Sequence, residues 1–141
     1  MTDAPTKDYV LDDQVGFVMR RANQRHLGLF AAHIPDLTPT QFAALAKLCE
    51  LGETSQNALG RATAMDAATI KGVVDRLRRK GFVDQRPDPD DQRRLLLKPN
   101  AAAWEAYDAL VPAAHAITRD TLAPLTDGEQ AIFLMLLHKL T

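Results

Sequence analysis

Apolar residues recur at helical spacing in the stretch 66–81, D-A-A-T-I-K-G-V-V-D-R-L-R-R-K-G, which predicts a helix there. Ile70, Val73, Val74 and Leu77 form one stripe, with Thr69, Lys71, Arg76, Arg78, Arg79 and Lys80 between them. Asp66 can cap the first turn with its carboxylate, and Gly81 stands where a C′ residue would stop the helix. The outward positions of the first half, Ala67, Ala68, Thr69, Lys71 and Gly72, are short apart from the lysine. A helix that slim at one end and basic at the other can approach another surface closely. The same residues also describe an ordinary amphipathic helix with a solvated basic face, and the stretch by itself does not decide between the two.

The neighbouring patterns do. Residues 41–51 and 55–62 read as two helices joined through Gly52, the second ending in 63–65 just before Asp66. Two helices across a tight turn make a helix-turn-helix, whose second helix enters the major groove. Residues 82–86 and 94–98 are short strand candidates around the turn-rich 87–93, and a hairpin in that place is the wing of a winged helix. Upstream, 1–9 are polar and expected to fray, and 10–33 follow a long helical pattern that Pro35 ends. Thr38 and Pro39 then fit the N-cap and N1 positions of the next helix. Downstream, Asn100 can cap a helix running to about Thr121, which Pro112 is expected to kink or split. Thr126 and Glu129 make a capping-box pair for a last helix. That helix carries Ile132, Phe133, Met135, Leu136, Leu137 and Leu140, more apolar surface than one small core needs. A second copy of the chain is the simplest partner, since twofold homodimers are the commonest oligomers.

Bulk properties narrow the class. The length of 141 residues suits one compact domain with a genuine core. No apolar run approaches a membrane span and the N-terminus lacks a signal-peptide apolar region, so the expected compartment is the cytoplasm, without a membrane partner. The single cysteine, Cys49, forbids an intramolecular disulfide and any cysteine-based zinc site. A formal charge of −1 argues at first against nucleic acid. Its distribution reverses that: residues 71–98 carry nine Lys/Arg and five Asp, net +4, against −5 for the rest. The basic part coincides with the helix and the hairpin, as an electrostatic footprint for DNA would.

The run 37–98 resembles the DNA-binding core of the multiple-antibiotic-resistance regulator (MarR) family. The matching motifs are L-T-P-T-Q-F-A-A-L (37–45), A-A-T-I-K-G-V-V-D-R-L-R-R-K-G-F-V (67–83) and R-P-D-P-D-D-Q-R-R (86–94), and the flanking helices fit as well. Gly72, where the family often has a longer polar residue, and Pro99-Asn100, in place of the usual Leu-Thr, depart from it. The resemblance implies a mostly α fold: a winged helix-turn-helix core (37–99) between an N-terminal dimerisation and linker helix (1–36) and C-terminal dimerisation helices (100–141). It implies a dimeric, cytoplasmic transcriptional repressor that binds a palindromic operator in double-stranded DNA and is released by a small aromatic acid or phenol.

On that frame Lys71 and Thr69 are the candidates for base edges, and Ala67 and Ala68 for thymine methyls. Arg76, Arg79, Lys80 and Arg86 are candidates for phosphates or solvent, and Arg94 is a further DNA-binding candidate. Arg93, two residues from Asp91 at the hairpin tip, is the candidate for minor-groove insertion, or else a local turn-stabilising ion pair. Asp75 and Arg79 read as an i,i+4 pair supporting the helix. For an effector carboxylate, Arg20 and His26 on the first helix offer cations and Phe30 an apolar floor. An enzyme is not expected: there is no Gly-rich phosphate loop, no G-x-S-x-G and no H-E-x-x-H. His26, His33, His115 and His138 are scattered and suggest no metal or other cofactor. Two alternatives stay open, a winged-helix dimer that binds protein instead of DNA, and a redox-responsive regulator acting through Cys49.

Overall fold

The computed structural model describes residues 8–141; the predicted fraying of the N-terminus falls almost wholly outside them. A 3-10 turn, Leu11–Asp13, precedes helix α1 (Val15–His33). Then follow α2 (Pro39–Leu51), β1 (Thr54–Ser55), α3 (Gln56–Ala62), α4 (Ala67–Arg79), β2 (Val83–Pro87), β3 (Leu95–Pro99), α5 (Ala101–Leu122) and α6 (Asp127–Lys139). Where length alone suits one domain, the chain forms two compact units. One is residues Ile34–Ala114; the other joins His115–Thr141 to the residues up to His33. Helix α5 belongs to both.

In the 34–114 unit the expected caps are in place. The Thr38 hydroxyl accepts from the Gln41 N–H and the Gln41 amide oxygen accepts from the Thr38 N–H, a closed capping box ahead of Pro39. The Asp66 carboxylate accepts from the Thr69 N–H at 2.8 Å and opens α4; Gly81, at φ +83°, ends it in the left-handed region that glycine enters without penalty. All four stripe residues of α4 are buried, and the helix packs on α2 and α3, whose Leu45, Leu48 and Leu59 are fully enclosed. Each such side chain contributes about 1.5–3 kcal/mol by leaving water. The turn between α3 and α4 is tight. A Cβ on Gly60 would stand 3.1 Å from the Ile70 Cγ2 and 3.2 Å from the Met65 carbonyl oxygen.

The sheet runs β1-β3-β2, all antiparallel, with Thr54 opposite Leu97 and Val83 opposite Pro99. Both wing strands sit one residue later than the sequence places them. Pro87 and Pro99 are their last residues, where a missing N–H costs the ladder little. Strand β1 was not expected: Ser55 is at once a strand residue and the N-cap of α3, accepting from the Ala58 N–H. Asn100 caps α5 as predicted, accepting from the Ala103 N–H, and its amide also donates to the Gly81 carbonyl at 2.7 Å. Pro112 does not split α5, which runs unbroken through it. That residue is exposed, so water can take the carbonyl that the proline leaves without a donor.

The second unit is held differently. Helix α1 begins five residues later than the pattern suggests, the 3-10 turn taking up part of the difference. Arg25 donates to the backbone carbonyls of Asp120 and Thr121, both at 2.8 Å. His26 Nδ1 meets the Thr121 hydroxyl at 2.8 Å, and His33 Nε2 meets the Asp120 carboxylate at 2.9 Å. Three side chains of α1 thus grip the last turn of α5. The predicted capping box of α6 is present, Thr126 with Glu129. Yet α6 buries none of its residues, and Val15, Met19, Ile132, Phe133, Met135 and Leu136 lie exposed on the single chain. Among the described residues no helix is long and apolar enough to cross a membrane.

Two outcomes follow from this packing. Gly60→Val sets a branched Cβ in tight contact with Ile70 and the Met65 carbonyl, and should lower unfolding stability by about 1–3 kcal/mol, read from the urea midpoint at unchanged m-value. The His33 hydrogen bond, with a second from Arg119, holds the Asp120 carboxyl below the ordinary aspartate range. A lowered folded-state pKa stabilises above the unfolded-state value, and that stabilisation is lost as pH falls through the folded-state value. Carboxyl NMR titration should find Asp120 titrating below ordinary aspartate, and His33→Ala should move its midpoint upward.

Candidate nucleic-acid interface

Burial of the α4 stripe turns the opposite side of the helix to solvent. Ala67, Ala68, Thr69, Lys71, Arg76 and Arg79 are all exposed there. Ala68 and Gly72 form the slimmest line of that face. The Arg76 guanidinium lies along it, Nη1 3.6 Å from where a Gly72 Cβ would stand. Gly72 therefore has room for a side chain, and its absence leaves the backbone open to an approaching surface.

Lys71 carries a partner that spacing did not reveal. Its Nζ donates to the Asp75 carboxylate at 3.0 Å, and Arg78 Nη1 stands 3.8 Å from the other Asp75 oxygen. The expected Asp75–Arg79 contact is replaced by these two. Asp75 thus pairs one turn back and three residues ahead along the helix, with Lys71 and Arg78, both within the i±3/i±4 reach of a helical side chain. The Lys71 hydrogen bond, ahead of the charges of Arg78 and Arg79, holds the Asp75 carboxyl below its ordinary range.

At the wing tip Asp88 is buried and organises the loop. Its carboxylate accepts from the Asp90 N–H at 2.9 Å, its N–H donates to the Arg94 carbonyl at 3.0 Å, and Arg94 Nε lies 3.8 Å from its second oxygen. Asp91 then accepts from both the backbone N–H and the Nε of Arg93, at 3.0 and 3.2 Å. The Arg93 side chain is nevertheless 92% exposed. Its guanidinium is oriented from one edge and open at the other, so the turn-stabilising pair and an outward cation coexist.

Arg86 differs from the other cations. It makes a two-pronged ion pair with Glu53, at 2.8 and 2.9 Å, that ties β2 to the loop before β1. The pair lowers the Glu53 pKa and raises that of Arg86. Arg86 is thereby a brace of the wing rather than an uncommitted phosphate ligand. Lys80 likewise donates to the Asp36 carbonyl at 3.1 Å. Nothing in the sequence could have paired residues 53 and 86, which meet only once β1, β3 and β2 form one sheet.

The effector candidates are dispersed within their unit. His26 lines a hollow of about 390 Å³ with Met19, Asn23, Thr118, Phe133 and Leu137, mainly apolar, between α1, α5 and α6. Arg20 instead lies over the Phe17 ring, 5.6 Å from its centroid, and Phe30 is buried. Neither lines that hollow. Cys49 is also buried, and burial, then the charge of Asp108, pushes its thiol pKa up. Oxidation proceeds through the thiolate, which this site disfavours.

Comparison with known proteins agrees with the geometry. Residues 37–95 match the MarR family profile. The transcriptional repressor NicR of Pseudomonas putida is 37% identical over 134 residues, 94% of this chain and 85% of the relative. A probable transcriptional regulator from Pseudomonas aeruginosa superposes with a TM-score of 0.91 at 52% identity, covering 94% of this chain and all of the other. BpsR of Bordetella bronchiseptica, solved in a study of how 6-hydroxynicotinic acid regulates its DNA binding, gives 0.90 at 34% identity and covers 97% of both chains. A winged helix with a basic outer face, in a chain this similar to such proteins over nearly its full length, belongs to the MarR family of transcriptional regulators.

Proposed function

We propose that the protein is a dimeric repressor that binds a palindromic operator and is released from it by a small aromatic carboxylate. The observation that carries the DNA half is the pairing, within one unit, of a slim basic helix face with an exposed, aspartate-oriented arginine at the wing tip. Two copies related by a twofold axis would set two α4 helices into successive major grooves. Lys71 and Thr69 then reach base edges, Ala67 and Ala68 lie against thymine methyls, and Arg76, Arg79 and Arg94 serve phosphates. Arg93 enters the flanking minor groove, where narrow A·T segments concentrate negative potential. The uncovered apolar side chains of α1 and α6 supply the dimer interface. An exposed apolar patch of that kind marks an association site.

The ligand half rests on the His26 hollow and on likeness to BpsR, whose DNA binding responds to 6-hydroxynicotinic acid. An aromatic ring suits the apolar walls, and a carboxylate can hydrogen-bond the polar side chains that line the hollow, His26 and Asn23 of α1 among them. Release requires only that the ligand prefer a dimer whose recognition helices are wrongly spaced for DNA. By linkage, bound DNA must then weaken ligand binding by the same factor.

Arg93→Ala should weaken binding to a specific duplex by about three- to tenfold at moderate salt, with the oligomer unchanged by light scattering. Unchanged affinity would remove the minor-groove assignment. In calorimetric titration, hydroxylated nicotinate- or benzoate-like acids should bind the unliganded protein and displace it from DNA, and His26→Ala should blunt that response while operator affinity persists. If none of these acids binds, the polar residues of the hollow have another role and the aromatic-acid reading is wrong.

A further inference from the structure

The outer face of α4 carries one residue of the wrong sign for DNA. Asp75 follows Ala68 and Gly72 on the side away from the buried stripe, amid Lys71, Arg76, Arg78 and Arg79. Its carboxylate contacts Lys71 at 3.0 Å and Arg78 at 3.8 Å. Apart from Arg76 along Gly72, the line beside it carries only small side chains, so phosphates approaching α4 come near a negative charge. For simple affinity this is a fault: the aspartate repels phosphate and neutralises cations that would attract it.

We propose that Asp75 is a positioning residue for specificity, one that engages Lys71 and Arg78 so that α4 gains little from random phosphate and Lys71 is delivered to a base edge. The inference rests on the reading of α4 as the recognition helix. A lysine ammonium is a compact point charge on a flexible stem, able to turn to whatever anion is near. Held against Asp75 at one turn's spacing, it keeps two further N–H donors for another acceptor. Guanine, with two adjacent acceptors on its major-groove edge, can use those donors without displacing the aspartate. A phosphate at the same donors carries a negative charge and bears the carboxylate's repulsion, which a neutral base edge does not. The right sequence is thus penalised less than the wrong one, which is how specificity arises from a repulsive element. Arg78 is restrained by the same oxygen pair, whereas Arg76, folded along Gly72, is left to serve the backbone.

The test compares Asp75→Asn and Asp75→Glu with the unaltered protein, using the duplex it enriches best from a random pool and a scrambled duplex of equal length. Removing one charge from each recognition helix should raise affinity for the scrambled duplex roughly tenfold at low salt and steepen the log–log salt slope by about 2 per dimer. Preference for the enriched duplex should fall about tenfold or more in Asp75→Asn and return toward the original in Asp75→Glu, with thermal unfolding unchanged in both. A parallel change in affinity for both duplexes, at constant preference, would overturn the proposal and leave Asp75 as helix support. Enrichment of no sequence by the unaltered protein would remove the recognition reading itself, and with it the role given to Asp75.

Discussion

Burial of Ile70, Val73, Val74 and Leu77 against α2 and α3 decides which way α4 faces, and the interface depends on that orientation. Four such side chains contribute on the order of 6–12 kcal/mol before conformational entropy is set against them. The ion pairs on the outer face are solvent-exposed and salt-screened, and pairs of that kind add little to stability. The core therefore sets the frame, while the charges are left to act on a partner. The same burial fixes Gly81 at the end of α4, and through the Asn100 amide on the Gly81 carbonyl it ties the start of α5 to the start of the wing.

The two units divide the chemistry as well as the chain. The 34–114 unit closes a dense apolar core and exposes charge. The other buries few of its apolar residues and relies on a polar grip, Arg25, His26 and His33 on the end of α5, to hold α1 in place. Val15, Met19, Phe133 and Met135 lie uncovered in this unit, and on the proposed reading a second copy covers them. The boundary between the units in α5 falls within three residues of Pro112, which is exposed and lacks a backbone donor.

Much of this was legible in the residues because local rules govern it. Thr38 with Pro39, Asp66, Gly81, Asn100 and Thr126 with Glu129 each mark a helix end through a bond spanning three or four residues, and the α4 stripe is a matter of period. The wing could be read from its turn-rich centre. What escaped depends on distant chain segments. Strand β1 has only two residues, too few for any alternation, and exists because Leu96 and Leu97 pair with it. Glu53 reaches Arg86 across 33 positions, a pairing made by the sheet. Lys71 with Asp75 was within local reach, but spacing offered Arg79 equally, and period alone does not choose between two partners one turn away on either side. Arg20 and His26 share a helix and yet face different surroundings, which periodicity alone does not distinguish.

The central claim is that the basic face of α4 and the tip of the wing, doubled by a twofold axis, form the DNA-binding surface. Hydroxyl-radical footprinting on the best-enriched duplex tests it most directly. The account predicts two identical patterns of backbone protection about one helical turn apart, symmetric about the centre of the site, each with an outer minor-groove segment whose protection disappears in Arg93→Ala. A single asymmetric footprint, or outer protection that persists without the Arg93 side chain, would contradict it.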